Sequence, residues 1–489
     1  MSGAPARRAQ VLVIGSGAGG ATAALTLAER GHDVLVLEEG PRIPDSRYGG
    51  DAVDAMDTWY RDRGMTPILG RVPIGFVEGR CVGGSTEINS GFWHRTPRET
   101  LLRWRTRFGL DVTPEELEPC FAWAEALLHV SLHAGPRPAS TELFARGIER
   151  MGWSAQEVPR AARGCQGSNA CAQGCPTGAK QGVTRRLLPA AVAAGARVVA
   201  DCRAKLLTRR GPRVTGVFAE LGLGDGRREL VHFEADHVVV AGGPLQTPFL
   251  LRRSGFRYNV GATLGLHPML KVVARFPAPV DAEAGVLPLL GVREFWPDVS
   301  LGGAFTTRGH LAMQLSDAWP AARGLLAERR HLASYYVAVR GSGAGAVRPA
   351  AFGEAPRVTY DLSTDDLRHL SQGLGRLASA LLAAGATEVW PTVQRLGPIR
   401  AEADAVRWLD ELLDRRRLSL TTVHAFSSCP MGELHERTAT DSRGRLRGTE
   451  NVTLLDASVL PDSPGVNPQG SVMGLARHNA LRLADELAR

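Results

Sequence analysis

The first forty residues alternate short apolar runs with a glycine turn and an alanine-rich segment. Residues 9–14 (AQVLVI) form an apolar run typical of a buried parallel strand, and residues 33–37 (DVLVL) form a second one. Between them, residues 21–30 (ATAALTLAER) have the composition of a helix, and Gly31 stands where that helix should end. The order predicts one strand–helix–strand unit with a parallel strand pair.

The same patterns recur further along the chain. They predict helices at residues 115–129, 185–195, 365–384 and 470–487. They predict a strand within 196–210, a hairpin at 215–220 and 230–234, and strands at 235–241 and 451–456. The first domain is therefore expected to begin at residue 9, to resume near residue 185 and to resume again at the end of the chain.

The turn between the first strand and the first helix carries a dinucleotide-binding motif. Gly15, Gly17 and Gly20 have GxGxxG spacing, with Ala18 opening the helix. Glycines there let the backbone approach a pyrophosphate, whose charge is stabilised by the helix N-terminus. Glu38 lies at the tip of the second strand, where an acid accepts hydrogen bonds from ribose hydroxyls and disfavours a 2′-phosphate. The segment therefore predicts nucleotide binding and argues against NADP.

Composition and charge narrow the class of protein. The chain has 489 residues and a formal net charge of +8. Its arginines are scattered along the sequence, which is typical of a solvated surface, and we expect no nucleic-acid partner. No apolar run approaches the roughly 18 residues that span a bilayer. The apolar residues that follow Met1–Arg8 belong to the first strand, so we expect no signal peptide and a cytoplasmic enzyme.

Four further segments carry a family resemblance. They are residues 79–89 (GRCVGGSTEIN), 243–255 (GPLQTPFLLRRSG), 424–432 (HAFSSCPMG) and 451–468 (NVTLLDASVLPDSPGVNP). In this order they resemble the signature segments of the glucose–methanol–choline (GMC) oxidoreductases. The resemblance implies an α/β fold (α+β overall), in which a Rossmann-like FAD-binding domain is joined to a substrate domain built on an antiparallel sheet.

The resemblance also implies a division of the chain and a reaction. Residues 1–105, 185–270 and 440–489 would form the FAD-binding domain, and residues 106–184 and 271–439 the substrate domain, with a cysteine loop at 165–180. The implied reaction is oxidation of an alcohol (a sugar, glycoside or other hydroxyl) to a carbonyl by hydride transfer to flavin N5. The alternatives are an alcohol oxidase that uses O₂ and a lyase on the same fold without net oxidation.

Two residues are the candidate catalytic groups. His424 stands at the family's catalytic-histidine position, and an imidazole suits the removal of a hydroxyl proton near neutral pH. Asn467 falls where the family places its second polar active-site residue, and its amide could donate to the substrate oxygen. His267, in another family-like segment, is interpreted as a structural residue.

The remaining candidates concern the flavin. By family position, Gly83, Gly84, Ser85 and Asn89 line the flavin and its phosphates. Asp456 and Ala457 are expected to contact its ribityl or phosphate portion, and Ala204 to pack near the adenine. Ile88 occupies the place of the histidine that binds FAD covalently in some members, so we predict non-covalent FAD.

The chain has seven cysteines, an odd number that argues against a disulfide framework. Cys165, Cys171 and Cys175 lie within eleven residues and precede a proline. One interpretation is an iron–sulfur site. The loop resembles that of bacterial FAD-dependent glucose dehydrogenase catalytic subunits, which implies a 3Fe–4S cluster and an electron-carrier acceptor. The others are a zinc site completed by Cys202 or a histidine, and three reduced thiols without metal.

Overall fold

The computed structural model describes residues 7–287 and 289–489, which form two large sheets with helices packed against each. The strands, in chain order, are β1 Arg8–Ile14, β2 Val34–Leu37, β3 Thr66–Ile68, β4 Ile74–Phe76, β5 Val130–Ser131, β6 Ala155–Glu157, β7 Arg160–Ala161, β8 Arg197–Val199, β9 Cys202–Arg210, β10 Arg213–Gly222, β11 Arg228–Val240, β12 Gly265–Leu266, β13 Met269–Arg275, β14 Leu290–Val292, β15 Val299–Gly303, β16 Leu332–Val339, β17 Ala344–Pro349, β18 Pro356–Asp361, β19 Glu388–Pro391, β20 Leu420–Thr422, β21 Ala425–Phe426 and β22 Val452–Leu454.

The helices, in chain order, are α1 Ala18–Glu29, α2 Ala52–Trp59, α3 Arg98–Phe108, α4 Pro114–Leu127, α5 Ala139–Arg150, α6 Leu187–Ala193, α7 Gly243–Arg253, α8 Arg308–Leu315, α9 Trp319–Ala322, α10 Thr364–Ala383, α11 Glu402–Val406 and α12 Gln469–Leu487.

The first sheet contains the predicted strand–helix–strand unit. Its order is β8-β2-β1-β11-β10-β9, with β22 paired to β11. The pairs among β8, β2, β1, β11 and β22 are parallel, and β9, β10 and β11 form an antiparallel meander. This arrangement confirms the expected Rossmann-like α/β domain.

Both faces of this sheet are buried, which explains the continuous apolar run of β1. Val11 and Val13 pack in the core with α1, α6 and α12, whereas Leu12 and Ile14 pack in a second core on the opposite face. Successive side chains of a strand point to opposite faces, so a strand covered on both sides needs apolar residues throughout.

β11 is one continuous strand where the sequence pattern predicted two. Its first part pairs with β10 in the meander, and from Glu234 onwards it pairs in parallel with β1. Residues 228–240 contain no glycine or proline that would interrupt the strand, so it extends from one pairing into the other.

The second sheet confirms the expected antiparallel platform. Its order is β3-β4-β20-β13-β16-β15-β14-β6, with β19 paired to β13, and every pair except β4–β20 is antiparallel. The division of the chain into domains by residue number stays a prediction. β3 and β4 pair in this second sheet, although they fall within the segment 1–105.

The two faces of β13 have different surroundings. Leu270, Val272 and Ala274 face the core shared with α5 and α10. Met269 and Lys271, on the other face, line a cavity.

Within the described ranges, none of the helices combines the length and the apolarity that a bilayer crossing requires. The cytoplasmic location stays a prediction.

Contact between α5 and α10 generates a stability prediction. A Cβ added to Gly147 would lie 2.1 Å from the carbonyl oxygen of Ala380. Gly147→Ala should therefore separate the two helices and lower the free energy of unfolding by about 1–3 kcal/mol, outweighing a helix-propensity gain of about 1 kcal/mol.

The matched control is Gly309→Ala in α8, where an added Cβ meets no atom within 4 Å. Chemical denaturation of both variants is the measurement. The control should be as stable as the parent or more stable, and equal stability of the two variants would contradict the contact.

Candidate active site

A large cavity of about 360 Å³ lies along the carboxyl ends of the first sheet and reaches the second sheet. Twelve of the fourteen candidate cofactor and catalytic residues line it. They are Gly15, Gly17, Ala18, Glu38, Gly84, Ser85, Asn89, Ala204, His424, Asp456, Ala457 and Asn467. Segments far apart in the sequence therefore meet at one site, as expected for ligands of open α/β sheets.

The glycine turn forms the base of this cavity. Gly15 ends β1 with φ of +99°, and a Cβ added to Gly17 would meet no atom within 4 Å, so this position is open. Gly20 does not line the cavity. A Cβ there would lie 1.9 Å from the carbonyl oxygen of Gly15, so this glycine allows α1 to pack closely against the turn.

Glu38 is buried, and its carboxylate is held by the protein itself. Its Oε2 accepts hydrogen bonds from the backbone N–H of Ser16 at 2.9 Å and from the Ser16 hydroxyl at 2.7 Å. Its Oε1 accepts from the N–H of Gly40 at 2.9 Å. Burial raises the pKa of Glu38, while these hydrogen bonds act in the opposite direction.

The Ser16 hydroxyl also connects the turn to the second glycine loop, because it accepts a hydrogen bond from the N–H of Gly83 at 2.9 Å. Gly83 does not line the cavity and has φ of +94°. Its neighbour Gly84 does line it, and a Cβ added to Gly84 would lie 3.2 Å from the Cα of Gly17. The sequence motifs did not indicate that Ser16 joins the two loops.

Asp456 holds the opposite side of the cavity. Its Oδ2 accepts hydrogen bonds from the Thr247 hydroxyl at 2.5 Å and from the N–H of Gly243 at 2.8 Å, and its Oδ1 accepts from the N–H of Ser458 at 2.7 Å. Burial raises the pKa of Asp456. The carboxylate thereby fixes the start of α7 beside the cavity.

Three helices direct their N-termini at this space. The first residues of α1, α7 and α12 line the cavity, and no first turn of these helices contains an acid. Helix N-termini carry partial positive charge and unsatisfied N–H groups. Together with the open position at Gly17 and the buried Glu38, they fit the anionic pyrophosphate and the ribose of FAD.

The histidine at the far end of the cavity belongs to a hydrogen-bond chain. The amide Nδ2 of Asn467 lies 3.1 Å from Nε2 of His424. Because an amide nitrogen only donates, Nε2 accepts and the ring proton of His424 is on Nδ1. Nδ1–H then donates to Nδ1 of His267 at 3.0 Å, and Nε2–H of His267 donates to the Ser463 hydroxyl at 2.7 Å.

His267, interpreted from the sequence as a structural residue, is a hydrogen-bond partner of the candidate base. β12 and β21 pair so that Leu266 lies opposite Ala425, and this places His267 beside His424. Ser463 was not identified from the sequence either. A histidine followed by proline at the end of a short strand is the signal that could have drawn attention to His267.

The histidines at the site are neutral at physiological pH. Burial, together with a smaller effect of the nearby Lys271 ammonium, lowers the pKa of His424 to about 4. Burial also holds the pKa of His267 well below its usual value. A neutral His424 with an unprotonated Nε2 can accept a proton. His424 and Asn467 also line a second cavity, of about 150 Å³, against β13, β15 and β16.

The cysteine loop does not have the arrangement of a metal site. Cys165, Cys171 and Cys175 surround a closed space of about 10 Å³, which holds about one water molecule. The guanidinium of buried Arg160 donates to Sγ of Cys171 at 3.4 Å and to Sγ of Cys165 at 3.8 Å. Buried Lys180 lies beside the same space.

In the part of the chain that the structure describes, no group of three or more His, Cys, Asp or Glu side chains is placed to hold a metal ion. The expected 3Fe–4S cluster is therefore not supported: Arg160 donates to two of the three thiols, and the space that the thiols line holds about one water molecule. Cys202, considered as a zinc ligand, lies in β9 and lines the large cavity instead.

Comparison with known proteins agrees with this geometry. Two family models described as GMC oxidoreductase match residues 10–269 and 346–476. The GMC-type oxidoreductase y4nJ of Sinorhizobium fredii is 38% identical over 96% of this chain and 93% of its own length. The long-chain-alcohol oxidase FAO3 of Arabidopsis thaliana is 27% identical over 98% of this chain and 68% of its own.

The fold has solved counterparts as well. A structure of a formate oxidase variant from Aspergillus oryzae, determined to study FAD modification, superposes with a TM-score of 0.75 at 16% identity, covering 99% of both chains. The matched family models span most of the chain, and the relatives match nearly all of it. This protein belongs to the GMC oxidoreductase family.

Proposed function

We propose that this protein binds FAD and oxidises a small-molecule alcohol to a carbonyl, with His424 as the base and Asn467 as its partner. The observation that carries the proposal is the unprotonated Nε2 of His424, which faces the junction of the two cavities beside the Asn467 amide. Similarity to a long-chain-alcohol oxidase supports an alcohol as substrate. FAD, when bound, supplies the acceptor for the hydride.

Each polar group has a separate task in this proposal. Nε2 of His424 takes the hydroxyl proton of the alcohol, in place of its hydrogen bond with Asn467. The Asn467 amide donates to the substrate oxygen. His267 holds the imidazole plane through the Nδ1–H bond, so that Nε2 keeps pointing into the cavity. Positioning of this kind matters because small displacements of reacting groups cost rate steeply.

The protein would hold FAD through the residues that line the large cavity. Glu38 would bind the ribose, and the N-termini of α1, α7 and α12 would face the anionic groups. Gly20 and Gly83 would act through the shape of the two glycine loops, since they do not line the cavity. Ile88 has no atom that could form a covalent bond to the flavin.

Direct tests distinguish O₂ from a carrier as the electron acceptor, and an oxidoreductase from a lyase. Oxygen uptake with an equal yield of peroxide identifies an oxidase, the activity named for the Arabidopsis relative. Turnover only with an added dye or carrier identifies a dehydrogenase. A lyase on the same fold would convert substrate while the flavin stays oxidised under anaerobic conditions.

His424→Ala tests the proposed base. Loss of the proton acceptor should slow anaerobic flavin reduction by roughly 10²–10⁴-fold while FAD stays bound. Stopped-flow absorbance with the best alcohol from a screen measures this rate. His435→Ala, at an exposed histidine, is the matched control and should leave the rate unchanged. Normal reduction kinetics in His424→Ala would refute the assignment.

The pH dependence of flavin reduction should report the lowered pKa of His424. Only the neutral imidazole can accept a proton, so lowering its pKa extends the active form to more acidic pH. The rate constant should be constant above pH 5 and fall as pH decreases through about 4. Circular dichroism over the same range checks that the fold is intact. A fall centred near ~6.5, the unperturbed value, would contradict the burial of this histidine.

The flavin should dissociate when the protein is denatured. Precipitation of the holoprotein with trichloroacetic acid should leave a colourless pellet and a yellow supernatant, because Ile88 offers no atom for a covalent bond. Absorbance at the flavin maximum in both fractions is the measurement. A yellow pellet would show a covalent link elsewhere in the chain.

A further inference from the structure

Lysine is rare in this chain, and each lysine lies at a pocket. Of 58 basic residues, only three are lysines: Lys180, Lys205 and Lys271. Lys180 donates to three backbone carbonyls around the cysteine loop. Lys205 forms ion pairs with Glu220 and Glu354. Among the described residues, the ammonium of Lys271 has neither a hydrogen-bond acceptor nor a carboxylate partner.

Lys271 lines the smaller cavity, on the substrate side of the candidate base. It lies on β13, and its cross-strand neighbour on β16 is Tyr336, whose ring centroid is 5.2 Å from the ammonium. The cavity of about 150 Å³ is shared with His424 and Asn467. Lys271 does not line the large cavity that fits FAD, so its charge is placed for a different ligand.

The walls of this cavity supply no negative charge. Of the described residues that line it, none is an aspartate or a glutamate. The second cation in the wall, Arg340, is already paired with Asp298 at 3.1 Å. The other ionisable neighbours are Tyr336 on β16 with Arg293 beside it, His310 on α8, His424 and His267.

Two partly buried histidines, His310 and His424, lie close enough to Lys271 for its charge to affect their pKa. Its ammonium contributes to the lowered pKa of His310 and of His424, each about 4, after the larger effect of burial. Burial lowers the pKa of Lys271 itself to about 8. A cation that is partly removed from water without a partner is unfavourable, and an anion placed beside it recovers that free energy.

We propose that the substrate is a hydroxycarboxylic acid, whose carboxylate pairs with Lys271 while its carbinol lies at His424 and Asn467. This inference rests on the proposed function, because it names the substrate class of the same site. One uncompensated ammonium matches one monoanion, and the apolar positions around it, such as Met269, Phe92 and Val466, match a short carbon body.

The pairing has a consequence for the base. A carboxylate beside Lys271 neutralises the positive charge that disfavours the imidazolium form of His424. His424 therefore becomes a stronger proton acceptor when the anionic substrate binds. A neutral alcohol would leave the ammonium in place and the base weaker.

Binding without turnover tests the anion site directly. The FAD-loaded protein is titrated with monocarboxylates of three to six carbons and with the primary amides of the same lengths, by isothermal titration calorimetry. The best carboxylate should bind at least tenfold more weakly to Lys271→Met, whereas binding of the amide should not change. Lys271→Arg keeps the charge on a larger side chain and should retain carboxylate binding to within about threefold. Comparison of the two variants separates the effect of charge from that of side-chain size.

Turnover supplies the second measurement. Anaerobic flavin reduction is followed with ω-hydroxy acids of three to six carbons and with α,ω-diols of the same lengths. The best hydroxy acid should reduce the flavin at least tenfold more efficiently than its diol, and Lys271→Met should remove that preference. Flavin content and thermal melting of each variant show whether it is folded.

The outcomes separate the two proposals. Charge-dependent carboxylate binding without flavin reduction by any alcohol supports the anion site and refutes the proposed oxidation. Reduction by diols as fast as by hydroxy acids, with carboxylate binding unchanged in Lys271→Met, overturns the substrate class and leaves the proposed oxidation standing.

Discussion

The hydrogen-bond chain from Asn467 through His424 and His267 to Ser463 is the constraint on which the candidate site depends. His267 and His424 are 157 residues apart in the sequence, and Asn467 lies 43 residues beyond His424. The short ribbon of β12 and β21 places the two histidines side by side. Because each ring nitrogen of His424 has a defined partner, the hydrogen bonds assign the ring proton to Nδ1 and direct the Nε2 lone pair towards the Asn467 amide.

Electrostatics divide the site into two parts. In the large cavity, Glu38 and Asp456 are buried carboxylates whose oxygens are occupied by N–H and hydroxyl donors, while three helix N-termini face the open space. That environment suits an anionic dinucleotide. In the smaller cavity the protein provides a cation, Lys271, and no acid among the described lining residues. The two cavities therefore suit ligands of different chemistry.

The cysteine loop has a structural connection to the same site. Lys180 lies at 5% exposure and donates to the carbonyl oxygens of Glu87 and Asn89 at the end of the second glycine loop, and to that of Cys171. Arg160 donates hydrogen bonds to the thiols of Cys165 and Cys171. The cysteine loop thus supports the second glycine loop through hydrogen bonds from Lys180 to its backbone, a role that thiol spacing could not indicate because it depends on contact between two loops far apart in the chain.

The sequence by itself determined the strand–helix–strand unit and the glycine turn with Glu38, because apolar runs and local spacing encode these features, and its family resemblance predicted the positions of His424 and Asn467. Only the tertiary structure decided that β11 is one strand with two pairings, and that His267 and Ser463 complete the hydrogen-bond chain behind the base. It also decided which groups Arg160 and Lys180 contact, and that Lys271 shares a cavity with the base and with no acid among the described lining residues. These features depend on contacts between residues far apart in the chain. Whether a buried charge has a partner is a property of the packed interior and cannot be read from the order of residues.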